Sequence, residues 1–298
     1  MVSKSLVICD PEENYAQALA FYIMNRREIH FQVQVCSGIQ HVKEADILLI
    51  SDRFPVEEIA QMKADKILIL TGRMGQPDRK DIVYKYQTGE QILKAVLTQC
   101  EEIYQGNELF FSSPNKKNRK IIGVFSPVHR IGKTSYALRL GESLADQEHV
   151  LYLSLELYGG IGGHFERGGH TLEDVLYYAR QEKGNLGYIL TKAVKHKGKL
   201  DYILPAAVSE DMKRVTAKEW KALFIQILNQ SMYETIILDI DEGIRDVYEV
   251  LKSCTQIYLL TDQTEYSLAK MEQFEKELTL LGYDEILEKI ERKEVTDD

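Results

Sequence analysis

The sequence predicts an α/β protein of two domains, in which a smaller domain precedes a larger one, and three observations lead to this prediction. Short apolar runs alternate with segments whose apolar residues recur at helical spacing, as in a sheet covered by helices. The apolar runs lack polar–apolar alternation, which is typical of parallel strands buried on both faces. The polar, basic segment at 107–120 interrupts this pattern and is predicted to be a linker. We therefore expect domains at 1–106 and 121–298.

The first domain is predicted to contain a small parallel sheet. Its opening helix is indicated by Tyr15, Leu19 and Tyr22, which recur at helical spacing. The predicted elements, in chain order, are strand Ser5–Cys9, helix Asn14–Met24, strand Asp46–Ile50, helix Glu57–Met62, strand Lys66–Leu70, strand Ile82–Tyr86 and helix Gln91–Tyr104.

The second domain is predicted to follow the same plan with a larger parallel sheet. Ala137, Leu140 and Leu144 give its first helix an apolar face, and a glycine-rich loop at 159–163 follows its second strand. The predicted elements, in chain order, are strand Ile121–Phe125, helix Lys133–Asp146, strand Val150–Leu155, helix Thr171–Ala179, strand Asp201–Leu204, helix Trp220–Asn229, strand Thr235–Ile240, strand Gln256–Thr261 and helix Ser267–Leu281.

The composition and net charge of the chain disfavour several classes of protein. A hydrophobic fraction of 44% is ordinary for a globular chain with a core, so global disorder is disfavoured. The net charge of −9 disfavours non-specific DNA binding, which depends on neutralising phosphates. The four cysteines form no C-x-x-C pair, so no zinc or redox site is indicated. No run approaches the ~20 apolar residues that span a bilayer, and the chain begins without a long apolar stretch, so we expect a cytoplasmic protein without a secretory signal.

The most informative motif is Ile131-Gly132-Lys133-Thr134, which lies between a predicted strand and an amphipathic helix. A P-loop has this order, because loop N–H groups and a helix N-terminus bind phosphate there. Lys133 would reach the β- and γ-phosphates, and the Thr134 hydroxyl would coordinate Mg²⁺. The predicted nucleotide-binding residues of the loop are Arg130, Ile131, Gly132, Lys133, Thr134 and Ser135.

The loop departs from the usual pattern G-x-x-x-x-G-K-[ST] at its first glycine. That position is Pro127, which has no N–H to donate and a fixed φ near about −65°. The alternative interpretation is a degenerate loop that no longer binds nucleotide.

Two acidic strand ends follow the loop. Asp239 closes an apolar strand and would hold the Mg²⁺ shell, while the later Gly243 would approach the γ-phosphate. The alternative is an aspartate that merely ends a strand or caps a helix. Glu156 follows an earlier strand and could orient the attacking water or bind Mg²⁺, or else lie on the surface. The predicted catalytic residues are Glu156 and Asp239, and the predicted metal ligands are Thr134 and Asp239.

These motifs, in this order, resemble the MinD/ParA group of P-loop ATPases over roughly residues 120–290. The resemblance implies ATP and Mg²⁺ as cofactors, and a homodimer. The group's Lys-Gly-Gly-x-Gly-Lys-Thr loop begins here with Val128, His129 and Arg130, so the lysine that reaches the partner's nucleotide is missing. The group's Asp-x-Asp motif is replaced by 154–156, Ser-Leu-Glu, so hydrolysis is expected to be slow or absent.

The first domain resembles a response-regulator receiver, which implies a flavodoxin-like fold. Asp10 matches one of the paired acids, and Thr71 and Lys85 match the switch threonine and the lysine. Ser51 stands at the phosphoacceptor position. Asp52 is displaced by one residue, so its side chain is expected to point elsewhere. We therefore expect a pseudo-receiver that is not phosphorylated and that makes protein–protein contacts.

The predicted fold class is thus a P-loop NTPase parallel-sheet domain preceded by a smaller flavodoxin-like, receiver-like domain, and this pairing resembles the TadZ/CpaE family. The resemblance implies a localisation factor that recruits partners of a Flp-type pilus or tight-adherence secretion machine, at the membrane or pole. The alternatives are a non-catalytic scaffold and a DNA-partitioning ATPase. For the latter, the basic cluster 192–199 is more typical of a solvated turn. The acidic segment 282–298 is expected not to anchor a membrane.

Overall fold

The computed structural model describes residues 4–26, 29, 31–42, 44–73, 81–100, 119–181 and 186–295. The chain divides into two compact units, Met1–Phe111 and Ser112–Asp298. The predicted linker at 107–120 lies outside the described residues except at its last two positions. Within the described ranges, no helix has the length and apolar character needed to cross a bilayer.

The first unit contains a five-stranded sheet in the order β2-β1-β3-β4-β5, with every neighbouring pair parallel. This is the flavodoxin-like strand order, and it confirms the predicted α/β class. Strand β2 was not predicted from the sequence, because alternating glutamines interrupt its apolar residues. The strands are β1 (Lys4–Cys9), β2 (Phe31–Cys36), β3 (Ala45–Ser51), β4 (Ala64–Thr71) and β5 (Ile82–Tyr84).

The helices of the first unit follow the predicted order with shifted ends. They are α1 (Glu13–Met24), α2 (Val56–Ile59) and α3 (Gly89–Cys100). Helix α2 ends three residues before the predicted boundary at Met62. The last predicted residues of the third helix, 101–104, lie outside the described residues. Apolar side chains of β1 and β3, with Ile39 and Ile59, form a buried core on one face of the sheet.

The second unit contains a seven-stranded sheet in the order β12-β11-β6-β10-β7-β9-β8. Its strands are β6 (Lys120–Phe125), β7 (Val150–Leu155), β8 (Val194–Lys197), β9 (Leu200–Ile203), β10 (Thr235–Ile240), β11 (Gln256–Thr261) and β12 (Ile290–Glu294). The sheet is mostly parallel, as predicted, and β8, a strand that was not predicted, pairs antiparallel with β9 at one edge. A two-residue turn joins these strands, and Gly198 supplies the positive φ of 61° that such a turn requires.

Helices cover this sheet, and the longer ones agree with the sequence prediction. Two begin with capping boxes, at Thr171 and at Thr216, so that side chains satisfy N–H groups of the first turn. The helices are α4 (Lys133–Leu144), α5 (Leu172–Ala179), α6 (Leu186–Ala193), α7 (Ser209–Arg214), α8 (Ala217–Gln230), α9 (Val247–Ser253), α10 (Glu265–Leu280) and α11 (Asp284–Leu287). Of these, α6, α7, α9 and α11 were not predicted.

The parallel register brings three strand ends to one edge of the second sheet. Asp239 on β10 lies level with Val124 on β6 and with Ser154 on β7. The loops that follow these strands therefore meet at the carboxyl edge, which is where α/β sheets bind ligands.

Candidate functional site

The loop after β6 leads into the N-terminus of α4. Ser126 fixes its start, because its Oγ donates to the Leu260 carbonyl at 2.7 Å and accepts from the Val128 N–H at 3.0 Å. Gly132, at the N-cap of α4, has a φ of 77° and no side-chain cap. The first turn of α4 carries no acidic residue. Its N–H groups and the positive end of the helix dipole therefore favour an anion at this position.

Arg130 adopts an unusual backbone conformation within this loop. Its φ is 60°, in the left-handed region that favours glycine. The loop of the MinD/ParA group, which this sequence resembles, has a glycine at this position. A residue that carries a Cβ is destabilised by about 1–2 kcal/mol in the left-handed conformation. The loop thus has a glycine-like conformation at a non-glycine residue.

Lys133, the first residue of α4, already has two partners. Its ammonium forms an ion pair with Glu156 and donates to the Ile240 carbonyl at 2.5 Å. Burial raises the pKa of Glu156 to about 7, although the Lys133 charge opposes that rise. The predicted phosphate-binding lysine and the predicted catalytic glutamate are therefore in direct contact.

Asp239 lies fully buried beneath the start of α4. Thr134 Oγ1 donates to its Oδ2 at 2.7 Å, and the Tyr152 hydroxyl donates to the same oxygen at 2.9 Å. Its other oxygen, Oδ1, has no hydrogen-bond partner among the described residues. Burial raises the pKa of Asp239 above its usual value. A hydroxyl and a carboxylate with a free lone pair are ligands that suit Mg²⁺, so the predicted pair Thr134 and Asp239 fits that ion.

The loops after β7 and β10 are joined through Asp241. Its carboxylate accepts from the Gly243 N–H at 2.7 Å and from the Leu157 N–H at 3.2 Å. A Cβ on Gly243 would lie 2.8 Å from Leu157 Cδ1, so a larger residue here would make the Leu157 side chain shift. The predicted residue Gly243 thus lies against the neighbouring loop.

The loop after β6, the start of α4 and Glu156 line a cavity of about 360 Å³. That volume is within the range of small-molecule sites. The predicted residues Asp239 and Gly243 are not part of its lining, and Asp239 lies buried behind Thr134. Six of its described lining residues were not predicted as site residues from the sequence: Ser126, Val128, His129, His164, Asp241 and Glu242. His129 contacts Glu242 at 3.1 Å across its rim. Its lining residues are Ser126, Val128, His129, Arg130, Ile131, Gly132, Lys133, Thr134, Ser135, Glu156, His164, Asp241 and Glu242.

The first unit has a different cluster at the carboxyl edge of its sheet. Lys85 Nζ lies 2.8 Å and 2.9 Å from the two carboxylate oxygens of buried Asp10. Thr71 Oγ1 donates to Asp52 Oδ2 at 2.6 Å. Asp52, the residue after the end of β3, thus contacts the predicted switch threonine, whereas Lys85 contacts Asp10 and Glu12. In the described part of the chain, no group of three or more His, Cys, Asp or Glu is placed to hold a metal.

Part of the basic cluster at 192–199 is locally neutralised. Lys197 pairs with Glu142 at 3.4 Å, and Lys199 pairs with Asp146 at 2.7 Å. His196 Nδ1 lies 2.6 Å from an oxygen of Asp201. Acidic partners therefore offset the charge that a nucleic-acid surface would need.

Comparison with known proteins finds no matching family model and no matching curated protein. Solved structures of ParA/MinD-type ATPases are similar. A ParA family ATPase from Chlorobium tepidum TLS is 18% identical and aligns 59% of this chain with 73% of its own at a TM-score of 0.46. MinD with Mg-ADP from Pyrococcus horikoshii OT3 is 19% identical, with 55% and 66% of the chains aligned and a TM-score of 0.42. A complex of Cyanothece McdA with ATP is 16% identical, with 56% and 66% aligned and a TM-score of 0.42.

Proposed function

We propose that the second unit binds ATP together with Mg²⁺. The observation that carries this proposal is the contact between Thr134, in the first turn of α4, and buried Asp239, at the end of β10. A helix N-terminus binds phosphate, and a hydroxyl beside a carboxylate binds the accompanying magnesium ion. The free Oδ1 of Asp239 gives this pair an unused ligand atom.

Each residue of the site has a proposed role. The loop from Arg130 to Ser135 and the N–H groups of α4 bind the phosphates, and Lys133 neutralises their charge. Thr134 and Asp239 hold Mg²⁺, which supplies further neutralisation of the phosphate oxygens when bound. Catalysis by Glu156 and Asp239 stays a prediction, and the Ser-Leu-Glu sequence at 154–156 supports slow hydrolysis at most.

At the level of the whole chain, we propose a MinD/ParA-like localisation factor that forms an ATP-dependent homodimer. It would recruit proteins of a Flp-type pilus or tight-adherence secretion machine. The pairing of a flavodoxin-like unit with a nucleotide-binding unit supports this proposal. The net charge of −9 and the paired lysines at 192–199 favour it over a DNA-partitioning role.

Titration calorimetry with ATP and Mg²⁺ tests the nucleotide proposal. We expect micromolar binding by the wild type and a loss of about 10- to 100-fold in Lys133→Ala, because a charge-assisted contact to phosphate is removed. Lys197→Ala is the matched control, since it removes a lysine paired with Glu142 away from the cavity. Its affinity should equal that of the wild type.

Light scattering in Mg-ATP and in Mg-ADP tests the homodimer on the same samples. Absence of binding in the wild type would refute the nucleotide proposal and would favour the non-catalytic scaffold. Binding without any change in mass would leave the nucleotide proposal standing and would contradict the dimer.

A further inference from the structure

The ion pair between Lys133 and Glu156 places a carboxylate where a phosphate would be expected. Both side chains lie mostly out of solvent, with exposures of 15% and 20%. A second contact, to the Ile240 carbonyl, also directs the ammonium toward protein oxygens. In this conformation the lysine that should neutralise a phosphate is already neutralised.

We propose that Glu156 competes internally with nucleotide phosphate for Lys133, and so lowers the affinity of the site for nucleotide. This inference rests on the proposed ATP-binding function and adds a regulatory contact to it. The ammonium has three N–H donors, so a phosphate that takes the third shares the positive charge of Lys133 with Glu156. Where the phosphate displaces Glu156, that carboxylate stays near the ligand without its cation.

The local charges make this exchange costly. A carboxylate that is only one-fifth exposed interacts with its partner more strongly than a surface carboxylate does, because solvent screens the pair less. The negative charges of Asp239 and Asp241 oppose the ionisation of Glu156, and once Lys133 leaves its positive charge no longer offsets them. The free energy needed to release Glu156 is subtracted from the binding free energy of the phosphate.

The other carboxylates in or beside the cavity have contacts of their own. Asp239 accepts from Thr134 and Tyr152, and Asp241 accepts from two backbone N–H groups. Glu242 contacts His129. The competition for Lys133 is therefore specific to Glu156 among these acids.

The test is the affinity for ADP without Mg²⁺, in EDTA and at about pH 8.5, where Glu156 with its pKa of about 7 is ionised, measured by titration calorimetry on the wild type and on Glu156→Gln. Omitting the metal removes any contribution of Glu156 as a metal ligand. Glutamine has nearly the same size without the charge. We expect Glu156→Gln to bind ADP about tenfold more tightly, which corresponds to about 1.4 kcal/mol.

The matched control is Glu242→Gln, which removes a negative charge from the same cavity but leaves the Lys133 pair intact. Because Glu242 is nearly half exposed, solvent screens its charge, and the gain in ADP affinity of Glu242→Gln should stay below about threefold. Glu156→Ala is the second variant, because a glutamine oxygen still accepts a hydrogen bond from Lys133. Fluorescence of Trp220, the chain's single tryptophan, verifies that each variant is folded.

The outcomes separate this inference from the function on which it rests. If the wild type binds Mg-ATP but neither Glu156 variant gains more ADP affinity than Glu242→Gln, the competition is refuted and the nucleotide site stands. If no protein binds either nucleotide, both proposals are wrong. A larger gain in both Glu156 variants than in the control supports the competition.

Discussion

Tyr152→Phe is the most direct perturbation of the buried carboxylate at the centre of the site. The change removes one hydroxyl from a side chain with no solvent exposure and leaves the ring in place, so no cavity of consequence forms. The lost contact is the 2.9 Å hydrogen bond to Asp239 Oδ2. A hydrogen bond to a charged group contributes about 1.5–3 kcal/mol, and its loss leaves a buried acceptor less satisfied. We therefore expect the second unit to be destabilised by about 2 kcal/mol.

Urea denaturation followed by Trp220 fluorescence measures this effect. The only tryptophan of the chain lies in the core of the second unit, so its signal reports the unfolding of that unit. With an m-value of about 2 kcal/mol/M, the midpoint should fall by about 1 M urea, in EDTA and without nucleotide. Tyr258→Phe is the control, because that ring is only partly buried and lies outside the site. If both variants shift the urea midpoint equally, the hydrogen bond from Tyr152 to Asp239 does not stabilise the second unit.

Two further predictions concern charge and backbone strain in the site. Burial raises the pKa of Glu156 to about 7 from 4.5, so the stability it contributes is complete below about pH 4.5 and is lost as the pH rises through about 7. The unfolding free energy of the nucleotide-free second unit should therefore fall by about 1 kcal/mol between about pH 6 and pH 8, and Glu156→Gln should lose most of that slope in urea titrations. The positive φ of Arg130 predicts that Arg130→Gly is more stable than Arg130→Ala by about 1 kcal/mol, and equal midpoints for the two variants would contradict the strain.

The sequence predicts the central strands of both sheets and the edge strand β5, and it misses the other three edge strands of the described residues. Strands such as β1 and β10 are nearly continuous apolar runs, because both faces are buried. The missed strands β2, β8 and β12 are edge strands with exposed glutamine, lysine, arginine or glutamate side chains. Edge strands carry such residues because they face water on one side and must avoid pairing with other chains. Their polarity removes the pattern on which the prediction depends.

In the candidate site, the residues that a local motif indicates were predicted, and those that long-range contacts bring to the site were not. Lys133, Thr134 and Asp239 were predicted because a motif and a strand end indicate them directly. Tyr152 was not predicted, because within an apolar strand it has the pattern of a core residue. Its role depends on the parallel register of β7 beside β10, which brings its hydroxyl to Asp239. His164 lines the cavity through the path of a long loop, which residue spacing alone does not determine.

Each unit has acidic residues at the carboxyl edge of its sheet, but the oxygens of these residues have different partners in the two units. In the first unit, the ammonium of Lys85 contacts both oxygens of Asp10 and lies 3.3 Å from Glu12. A divalent cation there would have to displace a buried ammonium, which costs more than filling an open ligand position because the displaced charge must be compensated elsewhere. In the second unit, one oxygen of Asp239 has no donor among the described residues and lies next to the Thr134 hydroxyl. Among the described residues, the carboxyl edge of the second sheet therefore offers a carboxylate oxygen without a hydrogen-bond partner, whereas both oxygens of Asp10 in the first unit contact Lys85.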